Sequence, residues 1–224
     1  MSTSPRGTLE REIFMLEELK FSVCGANLSL KKALGDEYSL ACVAGYDAES
    51  KMMVIPTAGY PDEPDYMLVC DLDAGVIEGD GAPSVHAQTF AEIFKAQSCG
   101  AAAIFTSPFA TSFAQARKPI PPFGAAHAGV FPAQISATRF LTRAELDSGY
   151  RAELGKSVCA AVKSCPEVGA ALISGHYPIV WAQSPKACAE RAVLLEETAK
   201  RAALSLVLTP GLAPLSRAII EKQR

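Results

Sequence analysis

Three histidines stand in a chain of 224 residues, His86, His127 and His176, and His176 is followed directly by Tyr177. An imidazole changes charge near neutral pH, so it can take or give a proton, and its neutral form offers a lone pair to a transition metal. Two chemistries are therefore open. His86 and His176 can work as a metal-free proton-transfer pair, with Tyr177 as a nearby proton donor. Alternatively, all three imidazoles can hold Zn²⁺ or another divalent ion, leaving one position to polarise a carbonyl or enolate oxygen. Each histidine also has a plainer reading. His86 lies near an expected helix start, where a structural hydrogen bond would account for it. His127 sits in the loop Gly124-Ala125-Ala126-His127-Ala128-Gly129, where a lone imidazole is commonly surface-exposed. His176 falls where a strand breaks at a glycine, in Ser174-Gly175-His176-Tyr177-Pro178, a better place for a site than for a core.

The cysteines add no second centre. Seven of them, at positions 24, 42, 70, 99, 159, 165 and 188, form no CxxC pair, and a dispersed, odd set reads as reduced thiols packed as small hydrophobes. A net charge of −3 with scattered Lys and Arg gives no basic stripe for nucleic acid. The opening MSTSPRGTLEREIFMLEEL turns acidic where a secretory signal needs its apolar run, and no uncharged stretch reaches membrane-spanning length. The expectation is a cytoplasmic protein with a small-molecule ligand and no nucleotide cofactor.

The elements that must position the histidines follow from periodicity. Leu9, Ile13, Leu16 and Leu19 share one face of a helix over 9–20, preceded by a loose tail over 1–8, and Gly25-Ala26-Asn27 is expected to end it. Strands are predicted over 38–45, 51–55 and 66–71, then a helix over 84–96. The run Ala101-Ala102-Ala103-Ile104-Phe105 reads as a central strand covered on both faces. The stretch 106–116 reads as a turn into a second helix, which stops at Lys118-Pro119-Ile120-Pro121-Pro122. Thr142-Arg143-Ala144-Glu145 is a capping box; the helix it opens need not be continuous through Gly149 and Gly155, and a helical segment is patterned over 154–164. Strands at 168–173 and 179–181 bracket His176, and Ser184-Pro185 opens a last long helix to about position 207. The product is one α/β (α+β-like) domain over 9–213, with a mixed or antiparallel sheet under helices and a short C-terminal extension or helix end over 214–224.

The order of short motifs resembles the class II aldolase and adducin N-terminal family over nearly the whole chain. The resemblance implies a three-layer fold around a central, mostly antiparallel sheet, and a homo-oligomer, a tetramer in many members, with sites at subunit boundaries. Ala26-Asn27-Leu28-Ser29 is similar to the family's phosphate-holding Gly-Asn-x-Ser loop. Pro56-Thr57-Ala58-Gly59 is similar to its Thr-Pro-Ser-Gly loop, and Pro83-Ser84-Val85-His86 to its Pro-Ser-Ser-Glu loop. Asn27, Ser29, Thr57, Gly59 and Ser84 are thereby candidate anion-binding residues. Ala58 and Val85 stand where hydroxyls are expected, and losing a hydrogen bond to a charged acceptor costs about 1.5 to 3 kcal/mol. An unphosphorylated carboxylate or hydroxy-carbonyl compound is therefore the expected ligand.

The catalytic positions depart further. His86 stands where the resemblance implies an acid/base glutamate. The His-x-His metal pair maps onto Ile104 and Thr106, or onto Phe105 and Ser107 in a second register, so neither supplies an imidazole; Thr106 and Ser107 remain as polar candidates. His176, in Gly175-His176-Tyr177, resembles the family's third ligand. Two functions stay open: a rebuilt lyase using His86, His176 and Tyr177, with His127 as a further metal ligand, or a non-catalytic relative that keeps the scaffold for ligand binding or assembly.

Overall fold

The structure, a computed structural model, describes residues 5–35, 40–59 and 63–222, with the side chains of 5–15 and of residue 217 left aside. Helix α1 spans Pro5–Leu34. It begins inside the stretch expected as a tail and runs straight through Gly25-Ala26-Asn27, where it was expected to stop. A helical glycine costs only about 1 kcal/mol relative to alanine. Val23, Asn27 and Leu30 recur on one face and are all buried, and that burial outweighs the glycine.

Strands β1 (Ala41–Asp47), β2 (Met52–Pro56), β3 (Met67–Cys70) and β4 (Val76–Glu78) form a meander. Helix α2 (Ala87–Ala96) leads to β5 (Ala101–Phe105), and α3 (Pro108–Ala116) and the short α4 (Ala125–Ala128) follow. Helix α5 (Arg143–Ala161), strands β6 (Ala170–Leu172) and β7 (Pro178–Ala182), and helices α6 (Pro185–Leu208) and α7 (Arg217–Glu221) complete the order. Both expected caps are present: Thr142 accepts from the Glu145 N–H in a full capping box, and Ser184 accepts from the Ala187 N–H. Strand β4, exposed along its length, has no counterpart in the expected pattern, and Tyr38 lies outside the described residues.

One sheet orders the described strands β4-β3-β2-β1-β5-β7-β6, each neighbouring pair antiparallel. Alternation along β1 separates the layers. Position 45 faces α1, since a side chain at Gly45 would strike Leu19 and Val23. Position 46 faces α2, where Tyr46 stacks on Phe94 with ring centroids 5.0 Å apart. Helices α1, α6 and α3 pack together on the first side, α2 and α5 on the other. The three-layer, antiparallel architecture expected from the motif order is the observed one. Ala101, Ala102 and Ala103 are fully buried at its centre, small enough for helices to approach from both faces. No disulfide joins the seven cysteines. No helix among the described residues is long and apolar enough to cross a membrane.

Candidate functional site

The antiparallel registers bring the end of β5 beside the starts of β1 and β7: Phe105 pairs with Ala41, and Ile104 with Ile179. His86, at the N-terminal boundary of α2, and His176-Tyr177, just before β7, meet at this end of the sheet. Both imidazoles pack edge-on against the same phenol ring. His86 lies 5.3 Å and His176 5.6 Å from the Tyr177 ring, centroid to centroid. The structure therefore gathers the three residues singled out as catalytic.

His86 is buried, and its Nδ1 has no hydrogen-bond partner. Burial first, and the positive Arg151 guanidinium second, push its imidazole down to about 4, so it is neutral at neutral pH. Its backbone is held by Ser84, whose hydroxyl oxygen accepts from the His86 N–H at 3.4 Å and from the Cys42 thiol at 3.5 Å. Burial pushes that thiol up to about 11, so it stays protonated.

His176 is fixed through both ring nitrogens. Its Nδ1 lies 3.0 Å from the Ser174 carbonyl. A carbonyl only accepts, so Nδ1 carries a proton, and in the neutral ring Nε2 keeps the lone pair. The Tyr150 hydroxyl makes a short hydrogen bond to that Nε2. Arg151 donates from Nη1 to the Tyr177 hydroxyl at 3.1 Å, and its guanidinium lies 5.1 Å from the centre of the Tyr150 ring. Burial raises the Tyr177 phenol above its usual value, with Arg151 pulling the other way.

Tyr150 and Arg151 were not among the residues expected to act. They follow Gly149, whose φ of 149° breaks helix α5 internally. After the break, the chain is docked on α2: the Thr89 hydroxyl donates to the Arg151 carbonyl at 2.8 Å. A side chain at Gly155 would come within 2.7 Å of the Thr89 carbonyl, so close approach of the two helices requires glycine there. A glycine inside a capped helix, followed at once by Tyr-Arg, is the one signal in the sequence that marks these residues.

The expected anion-binding residues are placed differently from a phosphate cradle. Asn27 is within α1, and its amide is used on the backbone: Nδ2 donates to Val23 and Val43 carbonyls, and Oδ1 accepts from the Val43 N–H. Ser29, expected beside it in a loop, is exposed on the helix. Thr57 donates through both its N–H and its hydroxyl to the Tyr66 carbonyl. The loops carrying Thr57, Gly59 and Ser84 are neighbours, but the N–H groups of Ala58 and Ser84 go to the carbonyls of Ala82 and Pro56. Gly59 takes a left-handed φ of 92°. The Thr106 N–H bonds to the Leu40 carbonyl. Ser107 donates its hydroxyl to Glu196, whose carboxylate also accepts from the N–H groups of Phe109 and Ala110. An internal carboxylate thus occupies the N-terminus of α3, where an anion is most stable.

His127 is not on the surface: α4 buries it, with Nε2 2.9 Å from the Ala133 carbonyl and its ring 5.9 Å from Phe131. The three-imidazole arrangement is therefore not assembled within one chain. Among the described residues no three His, Cys, Asp or Glu side chains are placed to share an ion. His176 has the anchored geometry of a metal ligand, but Tyr150 occupies its lone pair, and Ile104 and Phe105 are buried hydrocarbon. Within one chain this donor set does not fit a tetrahedral zinc site. A cavity of about 630 Å³, lined in part by Cys99, Trp181 and Arg191, lies at the opposite end of β5 and β7 from the histidines.

Comparison with known proteins bears on this arrangement. L-ribulose-5-phosphate 4-epimerase UlaF of Salmonella paratyphi A is 28% identical over 213 residues, covering 92% of this chain and 93% of that one; the Salmonella typhi protein gives the same values. An L-fuculose 1-phosphate aldolase structure superposes with a TM-score of 0.79 at 18% identity, covering 92% of this chain and 94% of its own. The L-fuculose-1-phosphate aldolase of Thermus thermophilus does so at 0.66 and 14%, covering 85% and 98%. At those identities the superpositions speak for the fold. The family model "Class II Aldolase and Adducin N-terminal domain" matches residues 27–203, and the chain, with its antiparallel three-layer domain and a histidine cluster where β5 ends and β7 begins, belongs to that family.

Proposed function

We propose that the protein is a lyase that cleaves a carbon–carbon bond in a small hydroxy-carbonyl or carboxylate compound, with its own side chains moving the proton. The observation that carries this reading is the cluster: the buried His86, its Nδ1 partnerless like that of His127, packs on the Tyr177 phenol that Arg151 holds. Leaving a buried polar atom unsatisfied costs about 1 to 3 kcal/mol, a cost that substrate contact would offset. His86, neutral at neutral pH, accepts the proton of the substrate hydroxyl. The adjacent carbon–carbon bond breaks, the carbinol carbon leaves as an aldehyde, and the electron pair passes into an enolate. Tyr177, kept protonated by burial, returns a proton to the carbon, and Arg151 stabilises the transient phenolate and the enolate oxygen. The cycle closes when the proton on His86 passes to Tyr177. His176, hydrogen-bonded by Tyr150, packs edge-on against Tyr177 and helps to fix its position.

The named relatives act on sugar phosphates, whereas here the hydroxyls of Thr57 and Ser107 and the amide of Asn27 serve the protein's own backbone and Glu196, which supports an unphosphorylated substrate. The metal arrangement of His86, His127 and His176 would need His127 from a second copy in a homo-oligomer, and the burial of His127 in its own chain, with Nε2 on the Ala133 carbonyl, speaks against it. The test is proton exchange and cleavage, followed by NMR in D₂O across small hydroxy-carbonyl carboxylates. Turnover by the wild type that His86→Gln abolishes is the expected result. Turnover by neither protein favours the non-catalytic alternative.

A further inference from the structure

Arg151 is half-buried, and none of the ion pairs among the described residues involves it. It gives one N–H to the Tyr177 hydroxyl and lays its plane near the Tyr150 ring. A guanidinium has five donors in a rigid fork, so most of its hydrogen-bonding capacity is unspent. Removing a cation partly from water without a counter-ion is unfavourable, and one neutral acceptor with one aromatic face offsets only part of that. The partnerless ring nitrogen of His86 belongs to the same cluster, two side chains with unmet requirements of opposite kinds: an unpaired positive charge and an unpaired polar atom.

We propose that Arg151 is the anion anchor of this site and that it binds a carboxylate carried on the substrate's hydroxy-carbonyl skeleton, through the edge of the guanidinium that Tyr177 leaves open. The proposal rests on the lyase reading above and names its substrate class. A planar carboxylate matches the two-pronged edge of one arginine. A phosphate dianion requires more donors, and the neighbouring N–H groups of Thr57, Ala58 and Ser84 are committed to carbonyls. Charge neutralisation has a chemical consequence as well. Arg151 is the second cause, after burial, of the low basicity of His86. A bound carboxylate screens it, so His86 becomes a stronger base when substrate is present.

The test is a titration of the full chain with glycolate and pyruvate in one arm and inorganic phosphate in the other, read by calorimetry and by the arginine Nε–H resonances. Saturable carboxylate binding that moves the Arg151 Nε–H resonance, and that weakens about tenfold or more in Arg151→Gln, is expected. Arg151→Lys, which keeps the charge and loses the fork, should lose most of the preference for carboxylate over phosphate. Three results overturn the proposal: equal affinity in the wild type and Arg151→Gln, tighter binding of phosphate than of both carboxylates, or no saturable binding of any of the three. Binding needs no bond cleavage, so a protein that binds carboxylate through Arg151 without turnover overturns the lyase reading alone.

Discussion

His86 keeps a neutral imidazole between Phe90 and Tyr177 with one ring nitrogen unpartnered, and this state has a measurable signature. Its folded value of about 4 lies below the usual 6.5, so between those values the unfolded chain holds a proton that the native protein refuses. Stability from this residue is complete above about pH 6.5 and is lost as pH falls towards 4, with an upper bound of about 3 kcal/mol. His127, also lowered mainly by burial, works in the same direction. Urea unfolding at a series of pH values should show stability falling below pH 6.5 in the wild type and a shallower fall in His86→Gln. An unchanged slope would contradict the buried neutral state. That His86 and His176 were candidates was legible from residue type and motif order. That Tyr177 lies between them was not, because the contact joins a helix start to a strand start about 90 residues apart. The structural fate of Asn27 was also hidden: an asparagine beside a glycine reads as a turn, yet its amide is the side-chain tie from α1 to β1.

Helix α5 shows how one backbone position sets the site. Gly149 has open space around a built side chain, so its requirement is conformational and not steric: its φ of 149° and ψ of 63° suit glycine alone. Gly149→Ala is predicted to lower stability by about 1 to 3 kcal/mol and to disturb Tyr150 and Arg151 together, measured as a fall in melting temperature with weakened carboxylate binding. The capping box that starts this helix was readable at Thr142 and Glu145, whereas the kink seven residues on was readable only as a possible break. Helix α3 is held differently, by the Glu196 carboxylate reaching from α6 to Ser107, Phe109 and Ala110. Glu196→Ala leaves three donors without their acceptor and should destabilise the protein by about 2 to 4 kcal/mol, read by chemical denaturation. No sequence pattern marks this tie, since 87 residues separate Phe109 from Glu196.

Across the whole molecule, the alternation of apolar runs and caps was enough to place most strands and both long C-terminal helices, because each buries a face with its own period. The errors share a cause. Helix α1 passing Gly25 and the exposed edge strand β4 are decided by what packs or pairs beside them, which local propensity does not contain. The same holds for chemistry: the scaffold is that of the class II aldolase family, while Thr57 and Asn27, expected to bind an anion, are tied to the backbone and a tyrosine hydrogen-bonds His176. In the proposed reaction His86 and Tyr177 carry the proton without a metal held inside the chain. Deuterium exchange at the carbon beside the carbonyl of pyruvate or a hydroxy-carbonyl carboxylate, followed by NMR before and after exhaustive chelation, tests it most directly. Exchange above background that survives chelation and disappears in His86→Gln is the predicted result; exchange that chelation abolishes, or that His86→Gln leaves intact, would contradict it.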